Sequence, residues 1–411
     1  MSITSSIEDD KTALPTPEGR QEEERLWNAN YTKAWAANFM LYFSFMLIVP
    51  ILPLYLSDTF GAGKHTIGFA LAGYTITVML IRPFSGYIVD SFNRRRVLLF
   101  FYSMLFLLFG GYLIGGSLLL FAIIRTLHGA PYGGTTIANS TVAIDVLPAS
   151  RRAEGIGYYG LSNNLATALS PSVGIFVYEL TNNFNVLFII SMATCGLGLL
   201  TASSIKIRER QQISRDKLSL DRFFLTKGWS QALIVCCFGL SYGVLSTYLA
   251  IYGRERLGMT SSTGTYFLIL CIGLMLSRLQ GAKALRDGRI SHNAAVGVSI
   301  SVFGYALFAA VPEMWAYYSS ALIIGLGNGH MFPAMQTMFI NLAPNSQRGT
   351  ANSTLYTSWD AGVGLGVVFG GMIAETFGYG PAFWMGALVN AFGVLFYFLH
   401  VQQSFERHRL R

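Results

Sequence analysis

The stretch Arg82-Pro-Phe-Ser-Gly86-Tyr-Ile-Val-Asp90-Ser-Phe-Asn93-Arg94-Arg95-Arg96 closes a long apolar segment, and its reading decides the rest of the chain. Small residues and one carboxylate end the apolar run, Asn93 marks a turn, and three cations follow. Cations placed directly after an apolar span mark its cytoplasmic end. Two uses of the loop are open at this point. It is a topology anchor, or it is a latch in which Asp90 makes charged hydrogen bonds that hold neighbouring helices together while Gly86 admits close backbone approach. Asn93 and Gly both tolerate the left-handed conformation that a tight turn uses.

Composition sets the class. Of 411 residues 52% are hydrophobic and 12% charged, with 30 Phe and 21 Tyr. Apolar runs near the ~20 residues needed to cross a bilayer recur from residue 34 to residue 400, which predicts an all-α polytopic membrane protein. The spans are read near 34-56, 66-89, 97-115, 118-144, 155-178, 186-204, 229-252, 263-284, 293-311, 316-340, 351-374 and 381-400, twelve in all. This divides the chain into an N-terminal tail (1-33), a six-helix bundle (34-204), a linker (205-228), a second six-helix bundle (229-400) and a C-terminal tail (401-411). Residues 1 to 25 are expected to be disordered, with 22-35 beginning an interfacial helix, and no apolar core of a cleavable signal is present.

The net charge of +8 raises nucleic acid as a partner, so the position of the cations decides. Lys64, Arg254 and Arg256 fall in outer loops and Arg82, Arg125 and Arg278 inside spans; the rest of the 29 fall in inner loops and tails. That distribution orients a cell-membrane protein with both termini cytoplasmic, and leaves no basic domain for nucleic acid. Cys195, Cys236, Cys237 and Cys271 lie in apolar runs without metal-ligand spacing, and read as packing residues.

Sliding the second half over the first reveals a repeat at an offset of 196 residues. Arg82 falls on Arg278, Gly129 on Gly325, Gly133 on Gly329, Pro148 on Pro344, Arg152 on Arg348, Ser162 on Ser358, Gly174 on Gly370 and Glu179 on Glu375. Two homologous halves facing each other across an axis along the membrane normal are expected. The halves also differ. Asp90 falls on Arg286, Asp145 on Asn341, and Asn164 on Asp360, so one half has the better inner latch and the other has a carboxylate inside a span.

The pattern Gly86-x3-Asp90 with its basic turn resembles the loop signature between the second and third helices of the major facilitator superfamily, with Asn93 where that family usually has Gly. The fourth span, Arg125-Thr-Leu-His128-Gly129-x3-Gly133, continuing to Asp145, Pro148, Arg151 and Arg152, resembles the Arg-x3-Gly motif of the drug:proton antiporter branch. The fifth span, Gly157-x8-Ala166-x3-Ser170-Pro171-x2-Gly174, resembles that branch's fifth-helix signature, with Ala166, Ser170 and Ile175 replacing usual glycines. Pro171 removes a backbone donor, and Gly129, Gly133 and Gly174 permit close helix packing. The resemblance implies a twelve-helix transporter in two pseudo-symmetric bundles, with Arg125 influencing protonation of a partner group.

Asp360 is the only carboxylate placed deep within a span. Burial disfavours its charged form unless Arg125 or another cation approaches, so it is the leading proton-coupling candidate, with Arg125 and His128 beside it; a permanently paired structural Asp is the alternative. His128 lies one turn from Arg125, and His330 occupies the matching helix; packing or substrate hydrogen bonding competes with proton carriage for both. Arg82, Gly86, Asp90, Arg94, Arg95, Arg96, Asp145, Arg152 and Arg278 are gating candidates, the symmetry of Arg82 and Arg278 favouring gating over substrate binding. Tyr158, Asn164, Tyr242, His330 and Trp359 are cavity candidates.

No nucleotide loop, metal cluster or cofactor motif stands out, so gradients must supply the energy. A proton moving inward supplies about 2.3 kcal/mol per 100 mV and about 1.4 per pH unit. The expected function is proton-coupled export of small amphipathic molecules, drug-, metabolite- or metallophore-like, by a monomer in the bilayer, without cofactor or metal. Proton-coupled uptake uses the same architecture. A membrane enzyme lacks a clustered nucleophile and base, and a sensor lacks a soluble domain.

Overall fold

The computed structural model describes residues 25–207, 220–258 and 263–410, which are helical with no strand among them. The acidic tail through Glu24, the linker cations Arg208, Arg210, Arg215 and Lys217, and residues 259–262 lie outside the described residues. The first crossing is made by α1 (Ala29–Ile48) and α2 (Leu52–Phe60), and is followed by α3 (Lys64–Ser91), α4 (Arg94–Leu113), α5 (Leu118–Val146), α6 (Arg152–Thr181) and α7 (Phe184–Ser203). The second half runs α8 (Trp229–Leu257), α9 (Thr263–Arg286), α10 (Ile290–Ala310), α11 (Met314–Leu342), α12 (Arg348–Phe377) and α13 (Tyr379–Phe396), and a π turn (Tyr397–Val401) leads into α14 (Gln402–His408). These are the twelve crossings of two six-helix halves. The last extends past residue 400, and Phe405 is fully buried.

Local chemistry places the ends. Asn28, Asn93, Ser117 and Asn183 each cap a helix by accepting a backbone N–H. At Asn93, the residue read as marking a turn, the left-handed conformation it tolerates is not used: its φ is −60°, and its side chain caps α4 by accepting the Arg96 N–H. Pro50 cannot donate to the helix and separates α1 from α2. Left-handed Gly61 (φ +63°) and Gly258 (φ +65°) terminate α2 and α8.

Among the described residues, eight helical stretches are apolar and long enough to cross a bilayer by composition alone. The other four crossings, α3, α5, α6 and α11, carry charged and polar groups that face protein rather than lipid. In α5, Arg125, His128, Thr135, Thr136, Asn139, Ser140 and Thr141 are all buried. In α11, Asn328, His330, Gln336 and Thr337 are buried likewise. A helix surrounded by other helices does not need an apolar exterior.

Between the halves, α3 packs on α12, and α9 packs on α6. These are equivalent pairs under the sequence repeat. The axis itself is marked by Gln336 Nε2 donating to Ser140 Oγ at 3.0 Å, since the two positions are 196 residues apart and equivalent residues meet only on the axis that relates them. Asn352 ties in by accepting from Gln336 at 2.9 Å and donating to Thr141 Oγ1 at 3.1 Å. Within the halves, glycines set the spacing: a Cβ at Gly129 would lie 2.5 Å from the Tyr74 carbonyl oxygen, and one at Gly325 would lie 2.1 Å from that of Leu270.

Candidate functional site

Asp90, in the last turn of α3, reaches across to the first turn of α12. Its Oδ1 accepts the Gly349 N–H at 2.8 Å, and Oδ2 accepts the Thr350 N–H at 2.7 Å and the Thr350 hydroxyl at 2.9 Å. A helix N-terminus offers unpaired N–H groups and a favourable dipole to an anion. Asp90 therefore caps a helix of the opposite half. Gly86, one turn earlier, makes this reach possible, because a Cβ there would lie 2.5 Å from Ser353 Cβ and 3.0 Å from the Gly349 oxygen.

A chain of alternating charges continues the latch. Arg94 donates to Asp90 at 2.8 Å and also to Asp145 of α5, and Arg348 of α12 donates to Asp145 Oδ1 at 2.5 Å and to Asn345 Oδ1 at 2.8 Å. Only one of the three consecutive arginines takes part. Arg95 donates to the Ser203 carbonyl at 2.6 Å, tying α4 to α7, and Arg96 is exposed. Arg152 donates to the Ile144 carbonyl at 3.4 Å, within its own half. The end of the linker joins the latch, with the Arg222 carbonyl accepting from the Thr350 hydroxyl at 3.0 Å and Phe223 packing on Phe84 and Tyr87.

Deeper between the halves, Arg82 of α3 forms an ion pair with Asp360 of α12. Arg82 also donates to the Tyr356 carbonyl at 3.1 Å and lies 5.1 Å over the Tyr356 ring, while its own carbonyl accepts from Ser353 at 2.5 Å. Arg82 keeps 7% of its side-chain surface exposed and Asp360 keeps 25%, so the carboxylate is the accessible member of the pair. Every contact between halves described here lies between this level and the end that carries both described chain termini. The molecule is closed at that terminal end.

Arg125 is not the cation that meets Asp360. It is held within the first half, 4.4 Å over the Tyr74 ring and 4.9 Å over that of Phe45, and it donates to the Tyr112 hydroxyl at 3.4 Å. His128 Nδ1 shares that hydroxyl at 3.0 Å, so Tyr112 bridges the two residues expected to share a face. Desolvated cations gain from aromatic faces, which explains how this arginine is housed without a carboxylate.

Tyr242 and Trp359 stand 5.5 Å apart by ring centroids, and Phe332 adds its edge to Trp359 at 5.6 Å, forming an aromatic run beside Asp360. Tyr158 is elsewhere, its ring 5.9 Å from that of Trp27 just before α1, and its carbonyl accepting from Trp35 Nε1 at 3.0 Å. His330 shares a hydrogen bond with Asn293 at 2.9 Å and sits against Gly281. α6 runs unbroken through Pro171, and Gly174 abuts α1, its would-be Cβ 2.3 Å from the Leu47 oxygen.

The family model described as Major Facilitator Superfamily matches residues 34–291 and 287–409. The chain belongs to the Major Facilitator Superfamily. The superfamily relatives include the Staphylopine export protein of Staphylococcus aureus, 21% identical over 83% of this chain and 88% of that protein. The multi-drug resistance efflux pump PmrA of Streptococcus pneumoniae is 22% identical over 90% of this chain and 95% of its own. Among solved structures, the human organic anion transporter MFSD10 (TETRAN) aligns with TM-score 0.77 at 14% identity, covering 90% of this chain and 99% of that one. The transporter FucP in its outward conformation aligns with TM-score 0.76 at 13% identity, covering 91% and 99%. These likenesses establish a multi-pass superfamily transporter fold.

For a superfamily member, the residues that sequence reading leaves out of the site are the receivers of the latch and the setting of the ion pair. Gly349 and Thr350 donate to Asp90, Arg348 extends the network by donating to Asp145, and the Tyr356 carbonyl accepts from Arg82. Arg348 is the repeat partner of Arg152, a signal already present in the sequence. Nothing local marks Gly349 and Thr350, which contribute backbone N–H groups and, from Thr350, a hydroxyl.

Proposed function

We propose that the protein is a proton-coupled exporter of small amphipathic molecules that works by alternating access, with Asp360 as the group that binds the coupling proton. The observation that carries this reading is the ion pair of Asp360 with Arg82, which joins the two halves deeper than the Asp90 latch. Protonation removes the carboxylate charge and with it the attraction across the interface. A buried charge pair is strongly destabilised when one partner loses its charge, by about 3–5 kcal/mol. That is enough to bias one packing of the halves against another.

In this reading residues 34-204 and 229-400 are the moving bodies of a monomer, and the tails 1-33 and 401-411 and the linker 205-228 lie in the cytoplasm. The terminal end, closed by Asp90, Arg94, Asp145 and Arg348, is then the cytoplasmic gate of an outward-facing arrangement in the cell membrane. Gly86 and Arg82 belong to this gate. The deeper aromatic run of Tyr242, Phe332 and Trp359 offers apolar surface to a substrate beside the ion pair. Export rather than uptake is supported by the relatives described as an export protein and as a multi-drug resistance efflux pump.

The test is transport in proteoliposomes with an imposed pH gradient, against a chemically diverse panel. An exporter drives substrate opposite to the inward proton movement; accumulation with the protons assigns uptake instead, and no response to the gradient removes proton coupling.

A further inference from the structure

The two equivalent arginines of the repeat have unequal partners. Arg82 meets Asp360 and the Tyr356 carbonyl. Arg278, at the equivalent place on α9, lies against Gly160 of α6, which is the repeat equivalent of Tyr356; a Cβ on Gly160 would be 2.7 Å from Arg278 Nη2. One turn further along the same face of α6, where the other half has Asp360, stands Asn164. Arg278 is only 5% exposed, and among the described residues it has no ion pair and its Nε has no hydrogen-bond partner. The Asn164 side-chain amide nitrogen is also buried without a partner.

A guanidinium this deeply buried, with an unpartnered Nε and no ion pair among the described residues, is costly unless something anionic completes it. Its counterpart shows what completes such a site: a carboxylate approaching between the two helices. Tyr356 lies between the two arginines, under Arg82 and close enough to Arg278 for both cations to act on it. Having no side chain, Gly160 lets the guanidinium lie directly against the α6 backbone, where the other half has the Tyr356 side chain. Gating alone accounts poorly for this, because a gate needs a partner on the facing helix and α6 carries no charged side chain between Glu154 and Glu179.

From this asymmetry we infer that Arg278 and Asn164 form an anion subsite, which binds a carboxylate-type group of the transported molecule in the position that Asp360 occupies for Arg82. The planar guanidinium presents two parallel N–H donors to the two oxygens of such a group, and the Asn164 amide adds a donor. Asp360 and the bound anion then stand in equivalent places about the axis, one belonging to the protein and one to the substrate. This inference rests on the transport reading and narrows it: the substrate is an amphipathic molecule bearing an acidic group.

The experiment is equilibrium binding to the purified full-length protein in detergent, read by tryptophan fluorescence and calorimetry, with no gradient imposed. The probes are three aromatic carboxylates, benzoate, 1-naphthoate and indole-3-acetate, each paired with its neutral amide. A charged hydrogen-bonded contact predicts that at least one carboxylate binds about 10-fold or more tighter than its amide. Arg278→Gln should bring the pair to equal affinity. Asn164→Asp, which places a carboxylate opposite Arg278 as in the other half, should remove the preference while the protein remains folded. Equal binding of every acid and its amide by the unmodified protein overturns the inference, as does an undiminished preference in Asn164→Asp. Because no transport is measured, a failure of proton coupling leaves these results unaffected.

Discussion

Asp360 shows how a single residue acquires meaning from its depth and its neighbour. Its depth is legible in the sequence, since it interrupts an apolar span between Trp359 and Ala361. Its partner is not, because Arg82 belongs to the other half and meets it only when α3 lies on α12. Arg125, the cation expected from motif resemblance, is instead enclosed by Tyr74, Phe45 and Tyr112. Asp360→Asn preserves shape and removes the charge. We expect it to abolish uphill, pH-driven transport while substrate binding or downhill exchange stays measurable, as counted by radiolabelled exchange in vesicles. A mutant that still builds a full pH-driven gradient would make Asp360 structural and turn attention to His128.

At the scale of elements, the latch is one helix capping another. Asp90 ends α3 and receives the N-terminal N–H groups of α12, and Gly86 keeps the two backbones close enough for it to do so. Asp90→Asn keeps an acceptor but loses the charge, which should cost about 2 kcal/mol, or roughly 30-fold in the equilibrium between closed and open terminal ends. Accessibility labelling of cysteines introduced between α3 and α12 should rise accordingly, and transport should fall without loss of folding. Gly86→Ala should act in the same direction by steric means, pushing Ser353 away with the charges intact. Labelling that stays at the starting level in both variants would reduce the loop to a topology signal. At the repeat equivalent, Asp287 instead pairs with the exposed Arg286 at 3.9 Å and Arg289 at 3.2 Å.

At the scale of the whole molecule, in the alternating-access reading the two halves rock against one another, with the axis that relates them marked by Ser140 and Gln336. Contacts between the halves toward the terminal end then have to part when that end opens, whether or not they lie near that axis. A cysteine pair at Gly86 and Ser353 should therefore stop transport when cross-linked, in a background with Cys195, Cys236, Cys237 and Cys271 replaced. A short cross-link between cysteines at positions 140 and 336 should stop it as well. Vesicle transport before and after reduction measures both. Full transport with either cross-link intact would contradict opening at this end.

Hydropathy and the 196-residue repeat make the membrane class, the twelve crossings and the duplicated architecture readable along the chain, because each depends on composition within a segment or on likeness between segments. The crossings α5 and α11 stand out less sharply along the chain, their composition being more polar than that of the eight apolar stretches, and the repeat supports them. Asp90 is readable as a latch residue through its motif, and Asp360 through its isolation. The partners are a different matter. That Asp90 binds backbone N–H groups of α12, that Asp360 binds Arg82, and that Arg278 faces Gly160 all depend on which helices of the two halves touch and at what height. Periodicity within a helix carries no record of the helix that will lie against it, and a backbone donor has no side chain to announce it. Those pairings come into being only when the two bundles close on one another.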